Sequence, residues 1–394
     1  MPDRPTLRLL PGRDRRAAAG HPWVFSNEIA MAPDARALSP GTPVRIEGPD
    51  GAPYGVHHFN PHTLIAARRL SRDPAELLDD AFWTARIAEC LALRTRLFAT
   101  PHYRLTHAEA DGLPGLVLDR YGDLITLQAN TAGMEAATPA ILRALETLVA
   151  PRAVVARNDS SVRALEGLPE TATLLHGTDP TGRVEEGGVT FAVDPLGGQK
   201  TGWFFDQREN RARVANLARG ETVLDAFCHT GGFGLQAAKS GARHVTLLDR
   251  SDHALATAME TARSNGLDGA VEPMRGDALE TLARLRDQAR SFGVVVADPP
   301  AYAKARKDIP AALRAYERLA RFAASLVAPG GILFIASCSH HVAPGDFADT
   351  VLAGVRRARR DARILAITGA GPDHPIHPML PESAYLKGLT LHLT

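Results

Sequence analysis

Short apolar runs alternate with polar residues along the first part of the chain and are interrupted by turn formers. The stretch "TPVRIEGPDGAPYGVHHF", for example, alternates around a Pro-Asp-Gly turn. A period of two predicts strands, so we interpret residues 1–73 as a small β domain. From Asp73 the period lengthens towards 3.6 in "DPAELLDDAFWTARIAECLALRTRLF", which predicts a helix with Cys90 on its buried side.

The next apolar runs indicate a mixed segment. "PGLVLDRYGDLITLQA" contains two runs around a Tyr-Gly-Asp turn and predicts a hairpin. A helix near 134–149 and a strand at "AVVAR" follow it. We therefore expect residues 74–195 to form a middle domain of the α+β type.

Strands and helices alternate from residue 196 to residue 394. "TVLDAF", "HVTLLD", "GVVVADPP" and "GILFIASC" predict strands. Helical patterns separate them, including one from about Pro310 to Val327 with Asp308 as its N-cap. This alternation predicts an α/β fold with a parallel sheet and helices on both of its faces. Ligands of such sheets bind beyond the carboxyl ends of the strands.

Chemically useful residues stand at the ends of four of these strands. They are Asp225, Asp249, Asp298 and Cys338. The loop "DAFCHTGGFG" after the first strand brings glycines just before a helix, where backbone amides approach a ligand closely. Because Asp225 adds negative charge there, the loop suits a ligand with a cationic amino-acid group better than a pyrophosphate.

Two further acids favour a nucleoside. Asp249 follows Asp225 by 24 residues, a separation at which a carboxylate accepts hydrogen bonds from both ribose hydroxyls of an adenosine. Asp277 follows the third strand and is a candidate partner of the adenine amine. Each acid alone is more often a helix cap or a solvated loop residue, and their register on successive strands is what favours a binding site.

Cys338 has two interpretations. In "LFIASCSHH" it stands where an apolar run ends and a polar loop begins. Cysteine is among the most buried residue types, so a small hydrophobe that closes a strand is one interpretation. The other is a nucleophile, and the neighbouring residues leave both open.

Length and composition indicate the number of domains and the cellular compartment. A length of 394 residues favours two or three domains. The chain has no uninterrupted run of about 18 apolar residues, so we expect no membrane association. Its three scattered cysteines argue against a disulfide framework and favour a reducing compartment, the cytoplasm. The oligomeric state is left open by the sequence, with a homodimer as one candidate.

Positive charge is concentrated near the N-terminus, although the formal net charge is only +1. Residues 1–72 contain ten Arg and six acidic residues, a local excess of +4. This excess permits a nucleic-acid-binding domain, with Arg13, Arg15 and Arg16 as candidate phosphate contacts. The preference of the chain for arginine, 40 Arg against 5 Lys, equally fits a bias in genomic base composition.

Several motifs together resemble a known family. "VLDAFCHTGGFG", "LLD", "GD" and "DPP" resemble the first motif, the ribose-binding acid, the adenine-side acid and the fourth motif of class I S-adenosylmethionine-dependent methyltransferases. "KTGWFFDQREN", "DPPAYAK", "ASCSHHV" and "DHPIHPMLPESAYLKGL" resemble the bacterial large-subunit ribosomal RNA (cytosine-C5) methyltransferases. In that family a PUA domain comes first, and "GHPWVFSNEI" resembles its opening. "HAEADGLPGLVLDRYGD" in the middle segment also matches.

The resemblance implies a fold, a cofactor and a partner. We expect a Rossmann-like class I methyltransferase domain at 196–394, preceded by a PUA-like RNA-binding domain and the α+β middle domain. The implied cofactor is S-adenosylmethionine and the implied partner is large-subunit ribosomal RNA. The implied cofactor contacts are Gln207, Arg208, Asp225, Cys228, Thr230, Gly231, Phe233, Asp249, Asp277 and Asp298.

The implied chemistry explains the residue types at the substrate side. Cytosine C5 is a poor nucleophile, so a thiolate of Cys338 adds to C6 and makes C5 able to take the sulfonium methyl group. Asp298 would bond N3 and the exocyclic amine as charge moves onto the ring. "DPPA" offers no second thiol for resolving the adduct, and Cys228 is a less fitting substitute because packing explains it better. The base that removes the C5 proton has no assigned residue.

Two alternatives to this function stay open, and a third is rejected from the spacing of its residues. An exocyclic-amine methyltransferase is the main rival, because Asp298-Pro-Pro-Ala-Tyr302 resembles a motif that holds and stacks a flipped base. A non-catalytic RNA-binding protein with a vestigial nucleotide fold is another. A metal site at His374, His377 and Cys338 lacks the spacing of zinc ligands, so we predict no metal.

Overall fold

The computed structural model describes residues 4–197 and 202–394, which form two compact units. The first unit contains residues 4–184, 193–197, 202–203 and 372–383. The second contains residues 185–192, 204–371 and 384–394. The segment 372–383 therefore belongs to the first unit, although the chain on both sides of it belongs to the second.

The first unit begins with a small β sheet. Its strands and one-turn helices, in chain order, are β1 (Thr6–Arg8), α1 (Arg15–Ala18), β2 (Trp23–Phe25), α2 (Pro33–Arg36), β3 (Thr42–Glu47), β4 (Pro53–Phe59) and β5 (Ile65–Ser71). The sheet order is β1-β3-β4-β5-β2, with β1 parallel to β3 and the other pairs antiparallel. Val44, Ile46 and Phe59 are fully buried, so the alternating apolar positions face one core, as predicted.

A second sheet follows in the same unit. Its elements are α3 (Asp80–Leu97), β6 (His102–His107), β7 (Leu116–Tyr121), β8 (Leu124–Ala129), α4 (Ala132–Val149), β9 (Ala153–Asn158) and β10 (Thr171–His176). The order is β10-β9-β8-β7-β6, with β8 and β9 parallel and the other pairs antiparallel. The predicted hairpin is confirmed as β7 and β8. A two-stranded sheet of β11 (Gly182–Glu186) and β12 (Val189–Val193) comes next.

Helix α3 begins later than the apolar period suggested. The prediction started the helix at Asp73, whereas α3 starts at Asp80. The Asp79 carboxylate accepts the backbone N–H of Phe82 at 3.0 Å and caps the helix there. Cys90 lies on the buried side of α3, as predicted.

The second unit is an α/β sandwich of the Rossmann-like type, which confirms the predicted fold class. Its elements are α5 (Arg208–Leu217), β13 (Thr222–Ala226), α6 (Gly232–Lys239), β14 (His244–Asp249), α7 (Asp252–Ser264), β15 (Val271–Arg275), α8 (Ala278–Asp287), β16 (Phe292–Ala297), α9 (Ile309–Ser325), β17 (Val327–Ser337), α10 (Pro344–Arg357), β18 (Ala362–Thr368) and β19 (Lys387–Leu393). The strand order is β15-β14-β13-β16-β17-β19-β18.

Two details of this sheet correct the sequence prediction. Five strands, from β15 to β17, are parallel, but β19 runs antiparallel between β17 and β18 because the chain reverses there without a helical crossover. Asp308 occupies the predicted N-cap position of α9, but its side chain does not cap the helix. Its carboxylate instead accepts the N–H groups of Lys304 and Ala305 in the preceding loop, at 3.2 and 2.9 Å.

The predicted domain boundaries at residues 73 and 195 stay a prediction. Residues 6–71 and 102–176 each contain a sheet of their own, and both sheets belong to the first unit. Among the residues that the structure describes, no helix is both long enough and apolar enough to cross a membrane.

A fully buried arginine ties α3 to two other segments of the first unit. Arg94 donates to both carboxylate oxygens of Asp111, at 2.8 and 2.7 Å. It also donates to the carbonyl oxygens of Arg104 and Asp373, at 3.1 Å each. Because two desolvated charges offset each other here, removing one of them leaves the other buried and uncompensated.

We expect Arg94→Leu to lower the free energy of unfolding of the first unit by about 3–5 kcal/mol, because Asp111 loses its bidentate partner. Urea denaturation followed by circular dichroism measures the loss. The exposed pair of Arg143 and Asp80 is the matched control, and Arg143→Leu should leave the transition unchanged because solvent screens that pair. Equal losses in the two variants would contradict the role of Arg94.

Candidate active site

Asp225 is buried near the carboxyl end of β13, one residue before the strand ends. Its Oδ2 accepts the backbone N–H of Gly234 in α6 at 2.8 Å. Its Oδ1 is buried and has no hydrogen-bond partner among residues 4–197 and 202–394. Burial raises the pKa of Asp225 to about 7; the Gly234 N–H opposes this shift, and the carboxylates of Asp298 and Asp249 add to it. A buried acid with an unused oxygen suits a polar or cationic ligand group.

The turn between β13 and α6 adopts backbone conformations that favour glycine. Phe227 and His229 have φ angles of 63° and 49°, in the left-handed region. Each such residue stores strain of order 1–3 kcal/mol. Gly231 has φ 83°, and a Cβ there would lie 3.0 Å from the side chain of Leu235. The turn thereby places the amide groups at the start of α6 close to Asp225.

Three predicted cofactor contacts lie in this turn or at the start of α6, and their surroundings differ. Cys228 is buried, and burial raises the pKa of its thiol. Phe233 is buried with its ring 5.2 Å from that of Phe334. Thr230 is half-buried, with Oγ1 3.4 Å from Nδ1 of His229. Only the Thr230 side chain of these three keeps part of its surface in solvent, and Cys228 and Phe233 pack in the core.

Asp249 ends β14 and is half-buried. Its Oδ2 accepts the backbone N–H of His229 at 2.9 Å, and its Oδ1 accepts that of Ser251 at 2.9 Å. The carboxylate thus fixes the turn after β13 to the end of the neighbouring strand. Each oxygen keeps further acceptor capacity, which suits a pair of hydroxyl groups.

Asp277 and Tyr302 occupy the loops after β15 and β16. Asp277 is exposed and caps α8, because its carboxylate accepts the N–H of Glu280 at 3.1 Å. The Tyr302 ring is half-buried and lies 4.8 Å from the ring of Tyr316. Burial raises the pKa of Tyr302, and Tyr316 and Asp277 contribute in the same direction.

Asp298 and Cys338 follow adjacent strands. Asp298 comes directly after β16, and its N–H donates to the carbonyl of Ala226 at 3.4 Å. Cys338 comes directly after β17. Since β13, β16 and β17 are parallel neighbours, Asp225, Asp298 and Cys338 lie along the same edge of the sheet. Cys338 and Asp298 are both half-buried.

Gln207 and Arg208 contact residues of their own segment and one residue of β11. Gln207 is buried, and its Oε1 accepts the side-chain amide of Asn210 at 2.6 Å. The Arg208 Nε lies 3.8 Å from an oxygen of Glu186, and its guanidinium is 5.3 Å from the Phe205 ring. Neither side chain caps α5. Their contact with the cofactor stays a prediction.

The sequence reasoning missed a buried ion pair close to this edge. Arg211 donates to both oxygens of Glu186, at 2.5 and 3.0 Å, and Gln236 donates to Glu186 at 2.8 Å. The positive charge of Arg211 lowers the pKa of Asp225, so the pair lies within range of the site. No local pattern signals it, because Glu186 and Arg211 are 25 residues apart in an otherwise ordinary strand and helix.

Tyr316 and Lys387 were also missed. The Tyr316 hydroxyl is 2.8 Å from Oγ of both Ser337 and Ser339, the two neighbours of Cys338. Lys387 donates to the carbonyl of Ser339 at 2.6 Å. Lys387 falls in the sequence stretch "YLKGL", which matched the family without any role being attached to the lysine.

The three predicted RNA contacts belong to the first unit. Arg13 and Arg15 are exposed. Arg16 donates to Glu28 through Nε and Nη2, at 3.1 and 2.8 Å, and its guanidinium lies 4.2 Å from the Phe25 ring. The charge of Arg16 is thus largely compensated, whereas Arg13 and Arg15 project their charge into solvent.

The histidines considered for a metal site lie in the first unit, whereas Cys338 lies in the second. His374 is buried with Nδ1 2.9 Å from Asp373, and its ring is 4.9 Å from that of His107. Within the described part of the chain, no cluster of three metal-ligating side chains occurs.

Comparisons with known proteins agree with a small N-terminal β domain and a Rossmann-like α/β fold. Residues 110–390 match the model of an S-adenosylmethionine-dependent methyltransferase family, and residues 7–72 match a PUA-like domain. A solved structure of a Streptococcus mutans protein assigned to the S-adenosylmethionine-dependent methyltransferases superposes with a TM-score of 0.81 at 18% identity, covering 98% of this chain and 100% of that one. A further solved methyltransferase structure, in complex with S-adenosylhomocysteine, gives 0.83 at 18% identity with the same coverage.

Curated relatives extend over nearly the whole chain. Ribosomal RNA large subunit methyltransferase I of Aeromonas hydrophila is 37% identical over 393 residues, 98% of each chain. The protein of the same name from Shewanella denitrificans is 36% identical over 389 residues, 97% of this chain and 98% of that one. The chain therefore belongs to the S-adenosylmethionine-dependent methyltransferases, in the family that includes ribosomal RNA large subunit methyltransferase I.

Proposed function

We propose that this enzyme transfers a methyl group from S-adenosylmethionine to C5 of a cytosine in large-subunit ribosomal RNA, with Cys338 as the nucleophile. The observation that carries the proposal is the position of Cys338. It is a half-buried cysteine at the carboxyl edge of the sheet, on the strand next to the one that precedes Asp298, whereas Cys90 and Cys228 are buried. The proposal of a ribosomal substrate is based on the names of the curated relatives.

The residues at the edge of the sheet fit the cofactor. The unpartnered Oδ1 of Asp225 and the amides at the start of α6 suit the amino-acid end of S-adenosylmethionine. The remaining acceptor capacity of Asp249 suits the ribose hydroxyls. Asp277 would meet the adenine side, near Tyr302. When bound, the cofactor supplies an electrophilic methyl group.

The thiolate is what makes cytosine reactive at C5. The thiolate sulfur of Cys338 would form a bond to C6, which makes the C5–C6 electron pair available at C5. C5 would then bond the methyl carbon while the bond from that carbon to the sulfonium sulfur breaks, and the cofactor would leave as the neutral thioether. Asp298 accepts a hydrogen bond from the exocyclic amine and, as the protonated acid, donates one to N3, where it stabilises the negative charge that builds up on the ring. A base then takes the proton from C5. The electron pair of the broken C5–H bond restores the C5–C6 double bond, and the sulfur–C6 bond breaks to release the Cys338 thiolate.

The first unit is assigned to RNA binding. Its PUA-like domain presents the exposed side chains of Arg13 and Arg15, which suit phosphate groups. A ribosomal substrate is consistent with a location in the cytoplasm.

The covalent step is tested with RNA that carries 5-fluorocytosine. The enzyme should form a stable protein–RNA adduct after methyl transfer, because fluorine cannot leave as a proton does. Cys338→Ala should abolish the adduct and turnover and leave cofactor affinity unchanged, since Cys338 contacts the base and not the cofactor. Denaturing gels and methyl-transfer assays report the two quantities.

Cys90→Ala is the control, because Cys90 is a buried cysteine of the first unit. It should retain the adduct. A Cys338→Ala enzyme that still methylates RNA would falsify the cytosine-C5 mechanism. It would favour the exocyclic-amine alternative, centred on Asp298 and Tyr302.

Cofactor binding is tested at Asp249. Asp249→Asn keeps one acceptor oxygen for the loop but removes the charge, so S-adenosylmethionine should bind more weakly by about 1.5–3 kcal/mol. Isothermal calorimetry without RNA measures the change. Asp252→Asn, at an exposed acid three residues later, is the control and should bind normally. Equal affinities for the Asp249 and Asp252 variants would remove Asp249 from the site.

RNA binding is tested at the exposed arginines. Arg13→Gln with Arg15→Gln should weaken RNA binding and reduce the slope of log affinity against log salt by up to about two, because two phosphate contacts are lost. Filter binding at several salt concentrations gives the slope. Arg16→Gln should change the slope less, because Glu28 already compensates Arg16. An unchanged slope in the double variant would show that this surface does not meet RNA.

A further inference from the structure

Lys387 is a buried lysine whose ammonium group is held by backbone carbonyls. Its side chain is almost fully buried at the start of β19. Its Nζ donates to the carbonyl oxygens of Ser339 and Val342, at 2.6 and 3.0 Å. Within residues 4–197 and 202–394 it forms no salt bridge with a carboxylate. Burying an ammonium group costs several kcal/mol unless charge or hydrogen bonds compensate it. Packing alone therefore does not explain why a lysine occupies this buried position.

The position of Lys387 relative to Cys338 supplies that reason. Lys387 lies opposite Ser337 in the register of β17 and β19, and it hydrogen-bonds Ser339. Ser337 and Ser339 are the immediate neighbours of Cys338. Burial lowers the pKa of Lys387, and the charge of Cys338 raises it again. An interaction that favours the ammonium next to a thiolate favours the thiolate to the same extent.

We propose that Lys387 is a positioning residue for the nucleophile, which holds the turn after Cys338 through the Ser339 and Val342 carbonyls and whose positive charge stabilises the Cys338 thiolate. The proposal rests on the proposed role of Cys338 in methyl transfer. A thiol with an ordinary pKa of about 8.5 is mostly protonated at neutral pH, so a nearby cation increases the fraction that can attack C6.

A second set of contacts fixes the other side of the same turn. The Tyr316 hydroxyl links Ser337 and Ser339, and the Oγ of Ser339 accepts the N–H of Ala303 at 3.2 Å. Ala303 belongs to the loop that begins at Asp298. The turn that carries Cys338 is thus held to α9, to β19 and to the loop of the substrate-side acid.

Among the residues that the structure describes, charged and titratable groups near Cys338 come from four segments. Tyr316 faces it from α9 and Lys387 from β19, while Asp298 and Tyr302 lie in the loop after β16. His340 follows two residues later, with its ring 5.0 Å from that of Tyr385. Burial raises the pKa of Tyr316, which keeps its hydroxyl neutral. Lys387 is a positively charged side chain that interacts electrostatically with Cys338.

The proposal is tested by the pH profile of Cys338 alkylation. The full-length enzyme is treated with iodoacetamide between pH 5 and pH 10, and mass spectrometry follows the modified peptide. Cys90 and Cys228 should react slowly, because burial raises the pKa of each thiol, that of Cys90 to about 12. Wild-type Cys338 should titrate below the ordinary thiol value of about 8.5.

Three variants separate charge from hydrogen bonding. Lys387→Gln keeps donors for the carbonyls but removes the charge, and Lys387→Met removes both. Both should slow alkylation of Cys338 at pH 7 by about tenfold and shift its profile upward by about one pH unit. Lys387→Arg should restore the profile in part. Lys307→Gln, at an exposed lysine of the same unit, is the control and should leave the profile unchanged.

The outcomes of this test are distinct from those for the proposed function. An unchanged Cys338 profile in both Lys387→Gln and Lys387→Met overturns the proposal, and a lower melting temperature with that unchanged profile assigns Lys387 a purely structural role. If Lys387→Met does not fold, Lys387→Gln and Lys387→Arg carry the comparison. An active Cys338→Ala enzyme would remove the cytosine-C5 mechanism but would leave the shift in the thiol profile intact.

Discussion

The common direction of five parallel strands decides where chemistry can occur in the second unit. From β15 to β17 the strands run the same way, so their carboxyl ends meet at one edge. The strand order reverses at β13, which is where sheets of this kind open a crevice for ligands. Asp225, Asp249, Asp298 and Cys338 come together because each ends or follows a strand of this set. Their separation in sequence is irrelevant once the strand order is established.

Desolvation is the main electrostatic constraint at this edge, and the chain meets it in three ways. The buried Glu186 keeps its pKa below the ordinary value, because Arg211 and Arg208 outweigh the effect of burial. The buried Asp225 receives one backbone N–H and little positive charge, so its pKa rises. Lys387 uses backbone carbonyls in place of a carboxylate. Structural pairing therefore satisfies Glu186, whereas Asp225 retains binding capacity that a ligand can use.

In the first unit, the number of arginines overstates the charge that is available to a partner. Arg16 is paired with Glu28, and Arg68 with Glu109 and Glu166. Arg68 also lies 5.5 Å from the Trp23 ring, so part of this charge serves internal packing. The exposed Arg13 and Arg15 are different, because within the described residues no ion pair compensates their charge. Local charge counted along the chain is thus an upper limit on the charge that can bind a phosphate backbone.

The sequence by itself determined the α/β class of the second unit, most of its strands and the acids at their ends, because period, turn residues and strand-end chemistry are local properties. It also placed Cys90 in a core. Only the tertiary structure decided that β19 returns antiparallel beside β17, since strand order depends on which surfaces pack and not on the pattern within one strand. That same pairing brings Lys387 to Cys338 across 49 residues, and the packing of α5 brings Arg211 to Glu186. Contacts of this kind depend on the whole fold, because burial and partners are set by segments that are distant in the chain.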